Sequence, residues 1–199
     1  MKLLVGTRSP GKTREIRELF AGLPFEVSFP ADRLLQPLPE EADLERSMSY
    51  VENAVAKARY YAMRGGLPAV SDDSGIEVDA LGGGPGVRSA RFAAEGATDE
   101  ENLSLLLGAV ADVDEAARTA RYRCLAACAW PDGRELVAEA TCEGRLTLEP
   151  RGNAGFGYDP AFVPEGYGET MAELPPEEKN RISHRGKALR ALGALLRAD

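Results

Sequence analysis

The sequence predicts a mixed α/β fold, because short strands alternate with amphipathic helices in the first half of the chain and a hairpin follows later. Strands joined by crossover helices pair in parallel, whereas a hairpin pairs its strands antiparallel. The hairpin consists of two β-prone segments, residues 118–130 and 135–142, on either side of the turn Pro131-Asp132-Gly133-Arg134. The sheet is therefore predicted to be mixed, and a purely parallel sheet is excluded.

The elements of the first half follow from the spacing of apolar residues and from turn residues. A strand at residues 2–5 leads through a polar turn at 7–11 into a helix at 12–21. A strand at 26–29, a proline-rich loop and a helix at 49–64 come next.

An acidic segment, Ser71-Asp72-Asp73-Ser74-Gly75, directly follows the apolar run Leu67-Pro68-Ala69-Val70. This order predicts a short buried strand that ends in a polar turn, with one more short strand at 76–78. Two adjacent carboxylates are costly unless positive charge lies nearby. The segment is either an Asx turn that carries two aspartates or a divalent-metal and general-base site at the end of a core strand. The segment alone leaves both interpretations open.

The second half is divided by glycine-rich loops, and Thr98 with Glu101 forms a capping box at the start of a helix. The predicted segments are, in order, a glycine-rich loop at 82–86, a helix at 99–110, the hairpin, a glycine-rich loop at 152–157, a short helix at 176–181 and a helix at 183–197.

Composition indicates one globular domain over residues 1–199, since 44% of the 199 residues are hydrophobic and 28% are charged. No apolar run is long enough to span a bilayer and no signal-peptide pattern is present, so we expect a cytoplasmic protein without a membrane partner. The formal net charge of −8 argues against sequence-independent binding of nucleic acid. It is compatible with a small anion held by a local basic cluster.

The cysteines and the histidine argue against a zinc site. Cys124, Cys128 and Cys142 lack metal-site spacing, and His184 is the single histidine. The three thiols are predicted to be small buried side chains.

The N-terminal segment Gly6-Thr7-Arg8-Ser9-Pro10-Gly11-Lys12-Thr13 matches the phosphate-loop pattern G-x-x-x-x-G-K-[ST] between a strand and a helix. The backbone amides of such a turn favour an anion. A P-loop NTPase is nevertheless disfavoured, because that fold is built on parallel crossovers and gives no role to the doubled aspartate or to the polar C-terminal cluster.

The polar clusters together contain the groups that a nucleoside triphosphate and its metal ion require. Phe156, which lies between glycines in a polar loop, is a candidate for stacking on a nucleobase. Lysine and arginine neutralise phosphate, carboxylates hold a magnesium ion, and a free aspartate can take the proton of an attacking water. The basic residues in or beside polar turns and helix starts are Lys12, Lys57, Lys179, His184 and Arg185.

On these motifs the chain resembles the inosine/xanthosine triphosphate pyrophosphatase family, whose members are also called non-standard purine NTP pyrophosphatases. The resemblance runs essentially from end to end. It consists of a T-x-N-x-x-K-like start at residues 7–12, a segment similar to E-x-G-x-T-F-x-E-N-A at 45–54 with Lys57 following, D-D-S-G at 72–75, L-G-G-x-P-G-x-x-S-A-R at 81–91, G-F-G-Y-D-P at 155–160 and K-x-x-x-S-H-R-G at 179–186.

The resemblance implies that ITP, dITP and XTP are hydrolysed to the monophosphate and pyrophosphate, which removes deaminated purines from the nucleotide pool. It implies an elongated twisted mixed sheet with two α/β lobes and a central cleft. It also implies Mg²⁺ as the cofactor, purine nucleoside triphosphates as the small-molecule partners, and a homodimer.

By position, the resemblance assigns Asp73 as general base and metal ligand, with Glu45 as the second metal ligand. His184 and Arg185 would address the 6-oxo edge of the base or the nearby phosphates, and Phe156 would stack on the purine. The remaining substrate-binding positions are Thr7, Arg8, Ser9, Pro10, Gly11, Lys12, Asn53, Lys57, Ser74, Gly157, Tyr158, Asp159 and Lys179.

Two positions depart from the family pattern: Ser9 replaces the usual asparagine, and Arg8 stands where glycine is common. Because further acids lie nearby, Glu40 or Glu41 could take the place of Glu45 as metal ligand. The competing hypotheses are a P-loop kinase or GTPase-like protein, which would release orthophosphate or transfer it, and a nucleotide-binding module without turnover.

Overall fold

In the computed structural model, which describes residues 1–198, seven strands form one mixed sheet. The strands are β1 (Lys2–Val5), β2 (Glu26–Ser28), β3 (Ala69–Val78), β4 (Gly84–Pro85), β5 (Thr119–Ala129), β6 (Glu135–Leu146) and β7 (Phe162–Pro164). They are hydrogen-bonded in the order β2-β1-β3-β5-β6-β7, with β4 paired to β3. β1 pairs in parallel with β2 and β3, whereas β3–β4 and β6–β7 are antiparallel. The prediction of a mixed α/β sheet is confirmed.

The helices of the described residues are α1 (Pro10–Phe20), α2 (Tyr50–Gly65), α3 (Asp99–Ala109), α4 (Pro176–Ile182) and α5 (His184–Ala198). The first helix begins two residues earlier than predicted, because the side chain of Ser9 caps it and Pro10 occupies its first position. The predicted capping box of Thr98 and Glu101 is present at the start of α3. None of these helices is both long enough and apolar enough to cross a membrane.

The acidic segment departs from the prediction, because residues 71–75 form the middle of the ten-residue strand β3 and no turn interrupts it. The predicted strand at 76–78 is the continuation of β3. Polar residues in a core strand normally argue for a turn, since a buried polar group needs a partner. Here side chains from distant parts of the chain supply those partners, as described below.

By internal contacts the described chain divides into two compact units, and each has its own core. The first unit comprises residues 1–73, 124–140 and 185 onwards, and the second comprises 74–123 and 141–184. The first core gathers side chains from β1, α1, β5 and α5, among them Leu3, Ile16, Phe20, Leu189 and Leu192. The second gathers Ile76, Leu106, Leu146, Phe162 and Met171, among others. The three cysteines are buried, as predicted.

Candidate active site

The two adjacent aspartates lie on β3 in the first unit, and both are buried: Asp72 is 3% exposed and Asp73 is 7% exposed. Successive side chains of a strand leave on opposite faces of the sheet. The two carboxylates therefore meet different neighbours, although they are consecutive in sequence.

Asp72 is held in a buried ion-pair network. Its Oδ2 lies 3.1 Å from Nζ of Lys12 and accepts a hydrogen bond of 3.1 Å from Nε of Arg185, whose Nη1 donates to Glu15 at 2.5 Å. Burial opposes ionisation of Asp72, but the positive charges of Lys12, Arg185 and Lys57 keep its pKa far below the ordinary value. Asp72 is thus an ion that balances buried cations.

Asp73 accepts a hydrogen bond from a neutral amide. Its Oδ2 accepts a hydrogen bond of 2.8 Å from Nδ2 of Asn53 on α2. The same amide is fixed to Ser47, whose backbone nitrogen donates to Oδ1 of Asn53 at 3.0 Å. Burial raises the pKa of Asp73, and the charges of Lys57 and Lys12 offset that effect only in part. Asp73 is therefore the more basic carboxylate of the pair.

Lys57 connects this strand to a third carboxylate. Its Nζ donates to the backbone oxygen of Asp72 at 2.6 Å and forms an ion pair with Glu45. Burial opposes ionisation of Glu45, but Lys57 and then Lys12 lower its pKa below the ordinary value. The pKa of Asp73 is thus raised and that of Glu45 lowered, and Lys12 and Lys57 lie beside both carboxylates. This arrangement suits acid–base chemistry on a phosphate.

The N-terminal phosphate-loop match has a local structural explanation. The backbone nitrogen of Gly6 donates to Val70 at 2.7 Å, and Oγ of Ser71 donates to the Gly6 oxygen at 3.1 Å. A Cβ at Gly6 would lie 2.9 Å from Cγ of Tyr61 and closer still to other atoms, so only glycine fits. Glycine is required here by the approach of β1 to β3 and α2.

The rest of that motif starts a helix. Oγ of Ser9 accepts a hydrogen bond of 3.4 Å from the backbone nitrogen of Lys12, and Oγ1 of Thr7 accepts one of 3.2 Å from that of Ser9. Ser9 thus retains the helix-capping function although its side chain is shorter than asparagine. Pro10 and Gly11 form the first turn of α1, which directs Lys12 toward Asp72.

Arg8 has an internal partner. Its Nε and Nη2 form a bidentate ion pair with Glu41 at 2.6 and 2.9 Å, and Nη2 also donates to the Leu35 oxygen at 2.9 Å. Glu41 belongs to a short 3-10 helix, Pro39–Asp43. The same carboxylate accepts hydrogen bonds from Tyr60, Tyr61 and Arg64 of α2. These contacts make Glu41 an anchor for the loop before α2, and they favour Glu45 over Glu41 as a metal ligand.

We expect Glu41→Gln to lower the free energy of unfolding by about 2 kcal/mol near neutral pH, because several hydrogen bonds to a charged group lose strength. The hydrogen bond from Arg8 and those from the other donors lower the pKa of Glu41 from its ordinary value of 4.5 to about 2. A depressed pKa in the folded state stabilises the protein above pH 4.5, and that stabilisation disappears as the pH falls toward 2. Urea unfolding from pH 7 downwards should therefore show the two proteins converging in acid.

The exposed neighbour offers a control: Glu40→Gln should stay within about 0.5 kcal/mol of the natural protein at every pH. A Glu41→Gln deficit that is constant across the pH range would contradict the assignment of Glu41.

A second polar cluster lies in the second unit and is centred on Asp159. Its Oδ2 accepts hydrogen bonds of 2.6 Å from Nζ of Lys179 and of 2.9 Å from the backbone nitrogen of Phe156. The Lys179 nitrogen also lies 5.4 Å from the centroid of the Phe156 ring. Gly155 adopts a φ of 78°, and a Cβ there would lie 2.9 Å from the Lys179 nitrogen. This glycine therefore lets the loop pass close to the ion pair.

The neighbouring residues are also fixed within this unit. The backbone nitrogen of Gly157 donates to Asp99 at 2.9 Å, and the buried Tyr158 donates its hydroxyl to the Ser89 oxygen at 2.7 Å. The half-buried Phe156 and the buried pair of Asp159 and Lys179 thus sit on a loop with defined backbone contacts.

The predicted site residues are divided between the two units, and the boundary between the units falls inside the motif at 179–186. His184 packs in the second unit, whereas Arg185 pairs with Asp72 and Glu15 in the first. Thr7, Arg8, Ser9, Pro10, Gly11, Lys12, Glu45, Asn53, Lys57, Asp73 and Arg185 belong to the first unit, and Ser74, Phe156, Gly157, Tyr158, Asp159, Lys179 and His184 belong to the second.

Three residues of these clusters were not predicted from the sequence. They are Glu15, which pairs with Arg185, Glu41, which anchors the loop before α2, and Tyr122, whose ring stacks on His184. Glu15 and Glu41 carry no local signal, since each is one acid among many in this chain. Their roles depend on partners that are far away in sequence.

The carboxylates suit a hard divalent cation, although no group of three or more His, Cys, Asp or Glu side chains in the described part of the chain is arranged to hold a metal. Mg²⁺ is usually bound through one or two carboxylates, while substrate phosphates and water complete its shell. Asp73 and Glu45 provide two such carboxylates, and the negative charge of Glu45 contributes to the raised pKa of Asp73. The residues present therefore fit a hard divalent cation that arrives with a triphosphate.

Comparison with known proteins gives concordant matches. A family model described as "Ham1 family" matches residues 3–195. The dITP/XTP pyrophosphatase of Methylococcus capsulatus is 46% identical over 199 residues, which cover 99% of this chain and 96% of that protein. The dITP/XTP pyrophosphatase of Streptomyces coelicolor is 47% identical over 199 residues, with 98% and 97% covered.

Solved structures agree with these matches. The structure of a HAM1 protein from Coxiella burnetii has a TM-score of 0.85 and 36% identity, and all of each chain is covered. A dITP/XTP pyrophosphatase from Mycobacterium abscessus has a TM-score of 0.71 and 40% identity, and the match covers 96% of this chain and 98% of that one.

Proposed function

Because the chain belongs to the Ham1 family, we propose that it is a nucleoside-triphosphate pyrophosphatase that hydrolyses the non-standard purine nucleotides ITP, dITP and XTP to the monophosphate and pyrophosphate. The observation that carries this proposal is the difference between the two adjacent aspartates of β3. Asp72 is neutralised by Lys12 and Arg185, whereas Asp73 retains a raised pKa beside Lys57.

We propose that the first unit handles the triphosphate. Asp73 accepts the proton of the water that attacks the α-phosphorus, and its raised pKa makes it the better base of the two aspartates. Lys12 and Lys57 bring positive charge to the phosphates, where negative charge builds up on the departing pyrophosphate. The Gly11 amide in the first turn of α1 adds a donor for the same oxygens.

Enzymes that hydrolyse nucleoside triphosphates in this way generally use a divalent metal ion, and we propose Mg²⁺ here, with Asp73 and Glu45 as its protein ligands. When bound, the ion would neutralise phosphate charge and lower the pKa of a coordinated water. Asn53 holds the Asp73 carboxylate in one orientation by a 2.8 Å hydrogen bond, which prepares that ligand before substrate arrives.

We propose that the second unit recognises the base. Phe156 stacks on the purine, which is compatible with any purine and contributes affinity without selecting the 6-substituent. Selection falls to the polar groups Lys179, Asp159 and His184. Donors directed at a 6-oxo group are left unpaired by the 6-amino group of adenine, and a buried unpaired donor costs a large factor in kcat/KM.

We propose a homodimer, as the resemblance implies, and action in the cytoplasm, where nucleoside triphosphates are consumed by polymerases.

The test of the function is product analysis with ITP, XTP, dITP, GTP and ATP in the presence of Mg²⁺. We expect pyrophosphate and the monophosphate from ITP, dITP and XTP, and a kcat/KM for ATP at least about 100-fold lower, because a site built to hydrogen-bond one group rejects its isostere strongly. Release of orthophosphate would favour a P-loop type of enzyme instead. Binding of ITP without turnover would favour a nucleotide-binding module.

A further inference from the structure

Tyr122 contacts two of the groups assigned to the base, although it belongs to none of the motifs that identified the site. It lies on β5 in the second unit and is 7% exposed. Its ring is stacked on the imidazole of His184, with 4.6 Å between ring centroids and 6° between ring planes. Such a nearly parallel arrangement restricts the tilt of the imidazole.

The phenol group of Tyr122 reaches the other polar cluster. Its hydroxyl donates to Oδ1 of Asp159 at 3.3 Å, while Oδ2 of the same carboxylate accepts from Lys179 and from the backbone of Phe156. Both oxygens of Asp159 are thereby engaged within this unit. One side chain thus contacts the imidazole with its ring and orients the carboxylate with its hydroxyl.

Packing alone does not require these two features. The ring of Tyr122 also makes an edge-type contact with Phe162, with 4.7 Å between centroids and 61° between ring planes, which is an ordinary core contact. A phenylalanine at this position would keep both ring contacts, and a leucine would fill much of the volume. Only tyrosine combines the stack on His184 with a hydroxyl directed at Asp159.

We propose that Tyr122 is a positioning residue that determines selectivity for 6-oxo purines, because it holds the His184 imidazole and the Asp159 carboxylate in the orientations that face the base. This inference rests on the proposed function. The two ring nitrogens of a histidine are chemically distinct, so a tilted or rotated imidazole presents the wrong group to the 6-substituent. Selectivity then falls before phosphate chemistry does, since Asp72 and Asp73 belong to the other unit.

The test compares the natural protein with Tyr122→Phe, Tyr122→Leu and the control Phe162→Leu, which removes a core ring that touches Tyr122. The first readout is the ratio of kcat/KM for dITP to that for dATP. We expect Tyr122→Leu to lower this ratio at least about tenfold, Tyr122→Phe to give an intermediate value, and Phe162→Leu to leave it within about twofold. The kcat for dITP should fall less than kcat/KM, which separates positioning from a general loss of stability.

The second readout is the NMR spectrum of the imidazole in tag-free protein, where His184 is the only histidine. Stacking on Tyr122 should shift its ring protons upfield. We expect this shift to persist in Tyr122→Phe and to disappear in Tyr122→Leu.

The outcomes separate the two proposals. If the natural protein does not release pyrophosphate from dITP, the proposed function fails and this inference fails with it. If the natural protein is active and selective, but both Tyr122 variants keep the selectivity ratio, the proposed function stands and the inference is overturned. Equal losses of selectivity in Phe162→Leu and Tyr122→Leu would also overturn it, since they would indicate a packing effect. If Tyr122→Leu does not fold, Tyr122→Phe decides the matter by its ratio alone.

Discussion

Replacing Asp73 by asparagine is expected to lower kcat for ITP by about a thousandfold, because the side chain loses its ability to accept the proton of the attacking water. The change keeps the shape of the side chain, and an amide oxygen can still accept the hydrogen bond that Asn53 donates at 2.8 Å. Folding should therefore be nearly unaffected. Steady-state kinetics together with thermal unfolding measure both quantities on the same preparation.

Binding provides the control for this variant. Asp73→Asn should still bind ITP when Mg²⁺ is supplied, because Lys12, Lys57 and the base-directed residues are unchanged. A variant that retains more than about a tenth of the natural kcat would show that another group takes the proton. Loss of ITP binding together with activity would point to a role in holding the metal alone.

Replacing Asp72 by asparagine is expected to affect stability instead of catalysis. We expect a loss of about 3–5 kcal/mol in the free energy of unfolding. The change removes the carboxylate that Lys12 and Arg185 share; Arg185 keeps Glu15, but Lys12 loses its ion-pair partner, and an uncompensated buried charge is costly. For a chain of this size the loss corresponds to a fall in melting temperature on the order of 10 °C. Urea unfolding at neutral pH, followed by circular dichroism, measures it.

An exposed ion pair gives a matched control. Asp32 pairs with Arg17 at 2.8 Å, but the two side chains are 42% and 51% exposed. Asp32→Asn should therefore cost less than about 1 kcal/mol. If Asp72→Asn and Asp32→Asn destabilise the protein equally, the buried network does not carry the stability assigned to it.

Together these two predictions distinguish a catalytic carboxylate from a structural one at adjacent positions. Burial acts on both aspartates in the same direction, so it cannot separate them. The difference comes from the cations: Asp72 contacts Lys12 and Arg185 directly, whereas Asp73 is hydrogen-bonded by a neutral amide. Opposite charge at short range outweighs desolvation for the first and does not for the second.

The arginines of two motifs show where position in a motif and role in the structure differ. Arg8 and Arg185 were assigned to substrate by resemblance, and both have carboxylate partners within the protein, Glu41 for the first and Asp72 with Glu15 for the second. We propose that they act by holding Glu41 and Asp72 in place, and thereby the phosphate loop and β3. Contact with the substrate remains a prediction for both.

Sequence alone determined the features that depend on neighbours in the chain. The capping box of α3, the turn at residues 131–134 and the alternation of strands with helices were predicted, because a cap or a turn is specified within a few residues. The ordered series of short motifs likewise determined the family, because each motif lies within a few consecutive residues and can be recognised without the fold.

Only the tertiary structure decided how the charged residues are paired. The acidic segment is a strand and not a turn because Lys12, Lys57 and Arg185 neutralise it, and Arg185 is 113 positions away from Asp72. The stack of Tyr122 on His184 also depends on the tertiary structure, because β5 and the start of α5 meet only in the folded chain. Pairing energies of this kind depend on distance and burial in three dimensions, and no local pattern of residues encodes either quantity.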